Sequence, residues 1–251
     1  MTLPLYLVDP PALDALAPGD RMTLDGDEGR HAATVRRTRS GEAVLVADGE
    51  GALARCRVEA VGAARLELRV EELGRTPPAR PPLVLVQALA KGGRDELAVE
   101  TATELGVDAV IPWQAARSVV VWSGERGERA RRKWEAVVRA AAKQSRRATV
   151  PPVREAVTSA ALARGAAGAG LVLALHEDAD RSLAAVPLPA EGTDGELWVV
   201  VGPEGGIAPD ELEALTAAGA VPVRLGPHVL RSSSAGAAAL AVLATRLGRW
   251  G

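Results

Sequence analysis

"VVVGPEGGIAPDELEAL", Val199 to Leu215, reads as an apolar strand, a bend with three glycines and a helix that opens on Pro209 and two acids. A strand feeding such a bend is a common ligand-binding place in α/β proteins, because exposed N–H groups and the helix dipole converge there. The spacing of Gly202, Gly205 and Gly206 does not make GxGxxG, and no Gly-Lys-Ser/Thr follows, so neither a dinucleotide fingerprint nor a P-loop explains the turn. Glu204 within it either orients a ligand amine or bonds the first N–H groups of the next helix.

The same rhythm extends to both sides. "LVLVQAL" (83–89), "VDAVIPW" (107–113), "GLVLALHE" (170–177), "ELWVVVG" (196–202) and "AVPVRLG" (220–226) are apolar strands. "DELAVETATELG" (95–106), "RRKWEAVVRAAAKQSRR" (131–147), "PDELEALTAAG" (209–219) and "SSAGAAALAVLATRLG" (233–248) are helical, with Gly106 at a C′ position. Such alternation predicts a mostly parallel sheet covered on both faces. In the helix from Arg131, Trp134, Val138, Ala141 and Ser145 share one face, and Arg132, Arg139, Lys143 and Arg146 the other. Residues 3–73 differ: short alternating runs divided by turn signals predict a small β-barrel or sheet domain. Four prolines in "GRTPPARPPL" (74–83) mark the linker.

Composition narrows the function classes. The 251 residues are 47% hydrophobic and 25% charged, as in a folded soluble domain, and the formal charge of -2 gives no bulk attraction to nucleic acid. A local basic patch exists, with ten Arg or Lys against four Glu between Glu125 and Glu155. The lone Cys56 excludes an internal disulfide and fits a reducing cytoplasm. No signal-peptide pattern or membrane-length apolar run occurs. His176, His228 and Glu177 lack metal spacing, no HExxH or Cys/His cluster exists, and no metal is expected. A GxSxG elbow is also missing.

Three strand-end loops hold the candidate site: "ALHEDAD" from Ala174, "GPEGG" from Gly202, and "LGPHVLRSSSAG" from Leu225. If their strands are neighbours, the loops share one pocket whose backbone can hydrogen-bond a flat, adenine-like heterocycle. Ser232, Ser233 and Ser234 are N-cap candidates for the final helix. Arg231 either serves the site or forms a surface ion pair. His31, with Arg36 and Arg37, either touches RNA or packs.

The blocks "ALAKGGRDELAVETATELGVDAVIPWQAARSVV", "KWEAVVRAAAKQSRRATVPPV", "VVGPEGGIAPDELEAL" and "LGPHVLRSSSAG", with "RHAATVRRTRSGE" near the N-terminus, resemble in order and spacing those of the ribosomal RNA small subunit methyltransferase E family. The resemblance implies a SPOUT α/β domain with a deep C-terminal trefoil knot (83–251), a PUA-like β domain (1–74) and a linker (75–82). It implies a cytoplasmic homodimer that transfers a methyl group from S-adenosyl-L-methionine to N3 of uridine 1498 in 16S rRNA of the 30S subunit. Leu175, His176, Glu177, Gly202, Glu204, Gly205, Gly206, Leu225, Gly226, Leu230 and Ser232 would hold the cofactor. Arg94 and Arg231 would be catalytic. His31, Arg36, Arg37, Lys91, Arg132, Arg139, Lys143 and Arg146 would contact RNA. The chain departs from the family pattern at Gly93, usually an acid, at His228, usually arginine, and at Ser233, where an acid is common. Two other readings remain: a SPOUT methyltransferase of a different RNA nucleotide, or a non-catalytic RNA-binding assembly factor.

Overall fold

The computed structural model describes residues 2–250, in two compact units. One comprises Met1–Pro78 with Ala142–Val150, the other Ala79–Ala141 with Pro151–Gly251.

The first unit is a curled five-stranded sheet. Its strands are β1 (Leu5–Leu7), β2 (Arg21–Leu24), β3 (Ala43–Ala47), β4 (Ala52–Val61) and β5 (Leu66–Arg75), in the order β1-β3-β4-β5-β2. Only the β1–β3 pair is parallel. Register shifts at Arg55/Cys56 and Val58/Ala60 bend the long β4–β5 ribbon, as bulges do. Alternation sends Ala52, Ala54, Cys56 and Val58 inward against Tyr6, Val44, Val46, Leu66 and Leu68. Burial pushes the Cys56 thiol up to about 11, with Glu71 adding to it, so it packs as an inert apolar side chain. One segment departs from the expected strands. Gly26–Arg30 forms a short helix, α1, and His31–Val35 a π-helical turn.

Residues 142–150 join this unit through the backbone. Val150 N donates to Gly49 O at 2.8 Å, and Gly51 N to Ala148 O at 3.1 Å. Lys143 pairs with Glu28 at 2.5 Å and lies 5.3 Å from the centroid of the Tyr6 ring.

The second unit is doubly wound. Its strands are β6 (Leu83–Ala88), β7 (Ala109–Gln114), β8 (Val157–Thr158), β9 (Leu171–Leu175), β10 (Leu197–Val201) and β11 (Val221–Val223). They run parallel in the order β11-β9-β10-β6-β7-β8. The helices are α2 (Arg94–Glu104), α3 (Gly124–Gln144), α4 (Ser159–Ala166), α5 (Pro209–Ala217) and α6 (Ser232–Arg246). On one face Val84, Val86, Ile111, Trp113, Val172 and Val200 pack with Leu162 of α4 and Leu215 of α5. On the other lie α2 and α6. Strands buried on both faces are why the sequence shows continuous apolar runs rather than alternation.

Two helix ends differ from the sequence reading. The basic helix starts at Gly124 rather than Arg131 and stops at Gln144, so Trp134, Val138 and Ala141 are its buried face and Ser145 lies beyond it. The serines of "SSS" do not cap α6. Arg231 is the N-cap residue, Ser232 and Ser233 are buried inside the first turn, and no side chain caps the helix.

Candidate active site at the strand ends

Because β9 pairs with both β10 and β11, the three strand-end loops do converge. They enclose a cavity of about 820 Å³, floored by Val201 and Val223 and walled by Leu175 to Asp178, Gly202 to Ile207 and Arg224 to Ser232. Every residue expected to hold a cofactor lies on this wall, and so do Arg94 and Arg231. The connection after β9 is stitched to the end of β11: Arg224 N donates to Arg181 O and Leu183 N to Arg224 O, both at 2.9 Å. Arg246 of α6 then donates to the carbonyls of Leu183 and Val186 at 2.9 and 2.7 Å.

The bend after β10 is held from several sides. A Cβ on Gly202 would meet Ile207 Cγ1 at 2.8 Å and its backbone N at 3.1 Å, so only glycine lets the chain fold back so closely. Glu211 lies buried beneath the bend. Its Oε2 accepts from Ala208 N at 3.1 Å, the reach-back half of a capping box, and its Oε1 from Ala116 N at 2.7 Å and from Ser159 Oγ. Ser159 in turn accepts from Trp113 Nε1 at 3.2 Å. One carboxylate thus ties the ends of β7, α4 and α5 together. Arg117, just after Ala116, donates to Gly205 O at 2.7 Å and lines the cavity. Sequence reading singles out neither Glu211 nor Arg117.

Glu204 does not bond the first N–H groups of α5. Its Oε1 accepts from Arg94 Nη1 at 2.8 Å, with the side chains 34% and 44% exposed. Burial opposes its ionisation, but Arg94, its own backbone N–H and the charge of Lys91 outweigh that and hold the carboxyl below the usual range. Gly93, where the family pattern has an acid, is the N-cap of α2 with φ +75°, a left-handed conformation a side chain would strain. Next to Arg94, Asp95 is buried and accepts from Ala90 N at 3.3 Å and Glu96 N at 2.9 Å. Its carboxyl is raised, chiefly by burial. The residue fixes the turn that presents Arg94.

Two observations bear on a bound cofactor. The Ser232 hydroxyl is buried on the cavity wall without a hydrogen-bond partner, and such an orphan calls for a ligand atom. His176 Nδ1 accepts from Asp178 N at 3.3 Å, which orders the β9 loop across from it. A long molecule with a flat ring and polar groups fits this polar, backbone-lined space, and S-adenosyl-L-methionine has that form. Among the described residues no three His, Cys, Asp or Glu side chains converge as metal ligands.

The residues expected to meet RNA are scattered. Arg132 and Arg139 are exposed on α3, and Lys91 is exposed before α2. In the first unit Arg36 and Arg37 are exposed after the π turn, His31 stacks edge-on to Tyr6 at 6.4 Å, and Arg146 is exposed with φ +58°. Lys143 is only partly accessible, being committed to Glu28 and Tyr6.

The RNA methyltransferase domain model matches residues 77–244 and the RNA methyltransferase PUA domain model residues 24–71, which makes the chain an RNA methyltransferase. The chain belongs to the ribosomal RNA small subunit methyltransferase E family. It is 53% identical to that protein of Mycobacterium bovis over 232 residues, 90% of this chain and 87% of the relative. The crystal structure of a family member from Neisseria gonorrhoeae, bound to S-adenosyl methionine, superposes with TM-score 0.85 at 26% identity, covering all of both chains. A putative methyltransferase from Legionella pneumophila in complex with the same cofactor gives 0.84 at 25% identity over 98% of each.

Proposed function

We propose that this chain transfers the methyl group of S-adenosyl-L-methionine to N3 of a uridine, position 1498, in 16S rRNA of the small ribosomal subunit. The observation that carries the reading is the strand-end cavity, with the orphaned Ser232 hydroxyl inside it and Arg94 and Arg231 on its wall. The bound cofactor would supply an electrophilic methyl group on a sulfonium. Leu175 to Glu177, Gly202 to Gly206, Leu225, Gly226, Leu230 and Ser232 would orient it. The flat ring would lie against backbone, with Ser232 Oγ taking a polar atom.

Arg94 and Arg231 would stabilise the negative charge that develops on the uridine carbonyls, and neither can act as a base. Because N3 lies on the Watson–Crick edge, the target must be unpaired or flipped out. Residues 1–74 would bind rRNA, 75–82 link, and 83–251 carry out transfer. His31, Arg36, Arg37, Lys91, Arg132, Arg139 and Arg146 would contact phosphates, with Lys143 contributing field rather than contact. Such binding weakens steeply with salt. A knotted chain at this end is what the family resemblance implies. A homodimer is the assembly that the family resemblance implies. Among the described residues no helix is long and apolar enough to cross a membrane, and we place the enzyme in the cytoplasm, where its substrate is.

The test is transfer of labelled methyl to 30S subunits that lack the native modification, followed by nucleoside mass spectrometry. The expected product is 3-methyluridine. A different methylated nucleoside would favour another SPOUT activity, and binding without transfer would favour an assembly factor.

A further inference from the structure

Methylation at uridine N3 requires the N3–H bond to break as the new bond forms. Arginine stays protonated, so the acceptor must be another group on the cavity wall. The candidates there are His176, His228, Glu177, Asp178 and Glu204. His176 Nδ1 is engaged by the Asp178 backbone N–H at 3.3 Å. Glu177, Asp178 and His228 are exposed on the β9 and β11 loops, as Glu204 is on the bend after β10, so exposure does not separate them. Glu204 alone of the five is joined to a cation assigned to the uridine, through the 2.8 Å contact with Arg94.

We infer that Glu204 is the group that accepts the N3 proton. The inference rests on the uridine-N3 reading above and names the base of that same site. A single ion pair holds, within one hydrogen bond, the cation suited to stabilising an anionic uracil and the carboxylate suited to producing it. They come from separate elements, the start of α2 and the bend after β10, so an entering base can part them. Arg94 then turns to a carbonyl flanking N3, and Glu204 faces the N3–H. In the step the N3–methyl bond forms, the methyl–sulfur bond breaks and its electron pair stays on sulfur, and the N3 proton passes to the Glu204 carboxylate. Sulfonium and carboxylate both become neutral, so charge balances.

Around Glu204 the charged groups are Arg94 on α2, Lys91 before it, and Arg117, which donates to the neighbouring Gly205 carbonyl. Of these, Arg94 and Lys91 hold the Glu204 carboxyl below its usual range before the RNA arrives. Departure of Arg94 to the substrate removes its strongest partner and makes the carboxylate a better base at the moment it is needed.

The test compares wild type with Glu204→Gln, whose amide oxygen can still accept from Arg94, and Glu204→Asp, which keeps a retracted carboxylate. Cofactor binding is measured by calorimetry, 30S binding by filter retention, and transfer under single-turnover conditions from neutral to strongly alkaline pH. The expected result is that Glu204→Gln transfers about 100-fold more slowly at neutral pH while losing much less in its affinity for the cofactor, whose site Glu204 also lines, and for the 30S subunit. Its deficit shrinks as hydroxide takes over deprotonation, and also on subunits carrying 5-fluorouridine, whose N3 proton is more acidic. Glu204→Asp retains the wild-type pH profile at reduced rate.

A Glu204→Gln enzyme that transfers at the wild-type rate, or whose deficit ignores both pH and fluorination, overturns the assignment. So does a cofactor affinity that falls as far as the rate, since that marks a structural role. If the wild type yields no 3-methyluridine at all, the functional reading itself falls and takes this one with it.

Discussion

The two units use their arginines differently. On the sheet of the first unit, Arg21 and Arg69 share Glu59 and Arg55 and Arg57 share Glu71, so cations and anions cancel across the sheet surface. Around the strand-end cavity of the second, cations face open space: Arg94 is tied to Glu204, Arg117 donates to a carbonyl, and Arg231 stands exposed where α6 begins. A count of charges therefore says little about where a ligand binds. Position relative to the ends of a parallel sheet says more. The difference also appears in the buried polar atoms, since the orphaned Ser232 hydroxyl lies on the cavity wall while Asp48, buried in the first unit, has Glu50 N and Ala52 N as donors at 2.7 and 2.9 Å.

The largest test of this contrast is mechanical. Glu211→Ala leaves the buried Ala208 N and the part-buried Ala116 N and Ser159 hydroxyl without their acceptor, and a group left unsatisfied away from water costs about 1–3 kcal/mol. A loss of about 3 kcal/mol or more in urea unfolding is expected, whereas Arg57→Ala on the first sheet should cost under about 1 kcal/mol. Comparable losses would erase the distinction between the units. Next comes Arg231→Ala, expected to slow methyl transfer about 100-fold, or about 2.7 kcal/mol, with cofactor affinity and stability nearly unchanged. Equal loss of rate and affinity would remove Arg231 from the reacting centre. Ser232→Ala sharpens the comparison further. It should weaken cofactor binding by about 1 kcal/mol, roughly fivefold, while leaving stability the same or higher because an unpaired hydroxyl is gone.

Much of the second unit was legible because burial on both faces writes itself as unbroken apolar runs, such as "LVLVQAL" and "ELWVVVG". The convergence of three loops followed once their strands proved to be neighbours. The segment from Gly26 to Val35 was not legible. Its ten residues split between α1 and a π turn, too short for a helical period to repeat, and they sit among alternating strands. The first turns of α3 were missed because "GERGER" has no apolar residue to mark a face. Glu211 and Arg117 were invisible for another reason. Glu211 meets Ala116 across 95 residues of sequence, and Arg117 meets Gly205 across 88, so no local spacing announces either contact. The Arg94–Glu204 pair, 110 residues apart, was hidden in the same way although both partners had been singled out.

The smallest effect separates two ion pairs by how far water reaches them. Glu196 accepts from Arg154 Nη1 at 3.0 Å and from Trp198 Nε1 at 2.7 Å. The Arg154 hydrogen bond, against the opposing effect of burial and with help from Trp198, holds its carboxyl below the usual range. Glu59 is also lowered, the two arginines outweighing desolvation. A depressed folded-state value means a contribution present above the unfolded value of about 4.5. That contribution disappears as pH falls through the lower folded value. Acid titration of stability should therefore flatten in Glu196→Gln, by under about 1 kcal/mol because the pair is only half-buried. Added salt should leave much of the Glu196 contribution in place, since a hydrogen-bonded and partly shielded pair is screened less. The two carboxylates are equally exposed, 27% for Glu59 and 28% for Glu196, but Arg21 is 73% exposed against 38% for Arg154, so the Arg21–Glu59 contribution should fade more with salt. If salt removed both equally, the half-buried pair at the base of β10 would be no better shielded than the sheet surface, and the contrast between the two units would rest on the cavity alone.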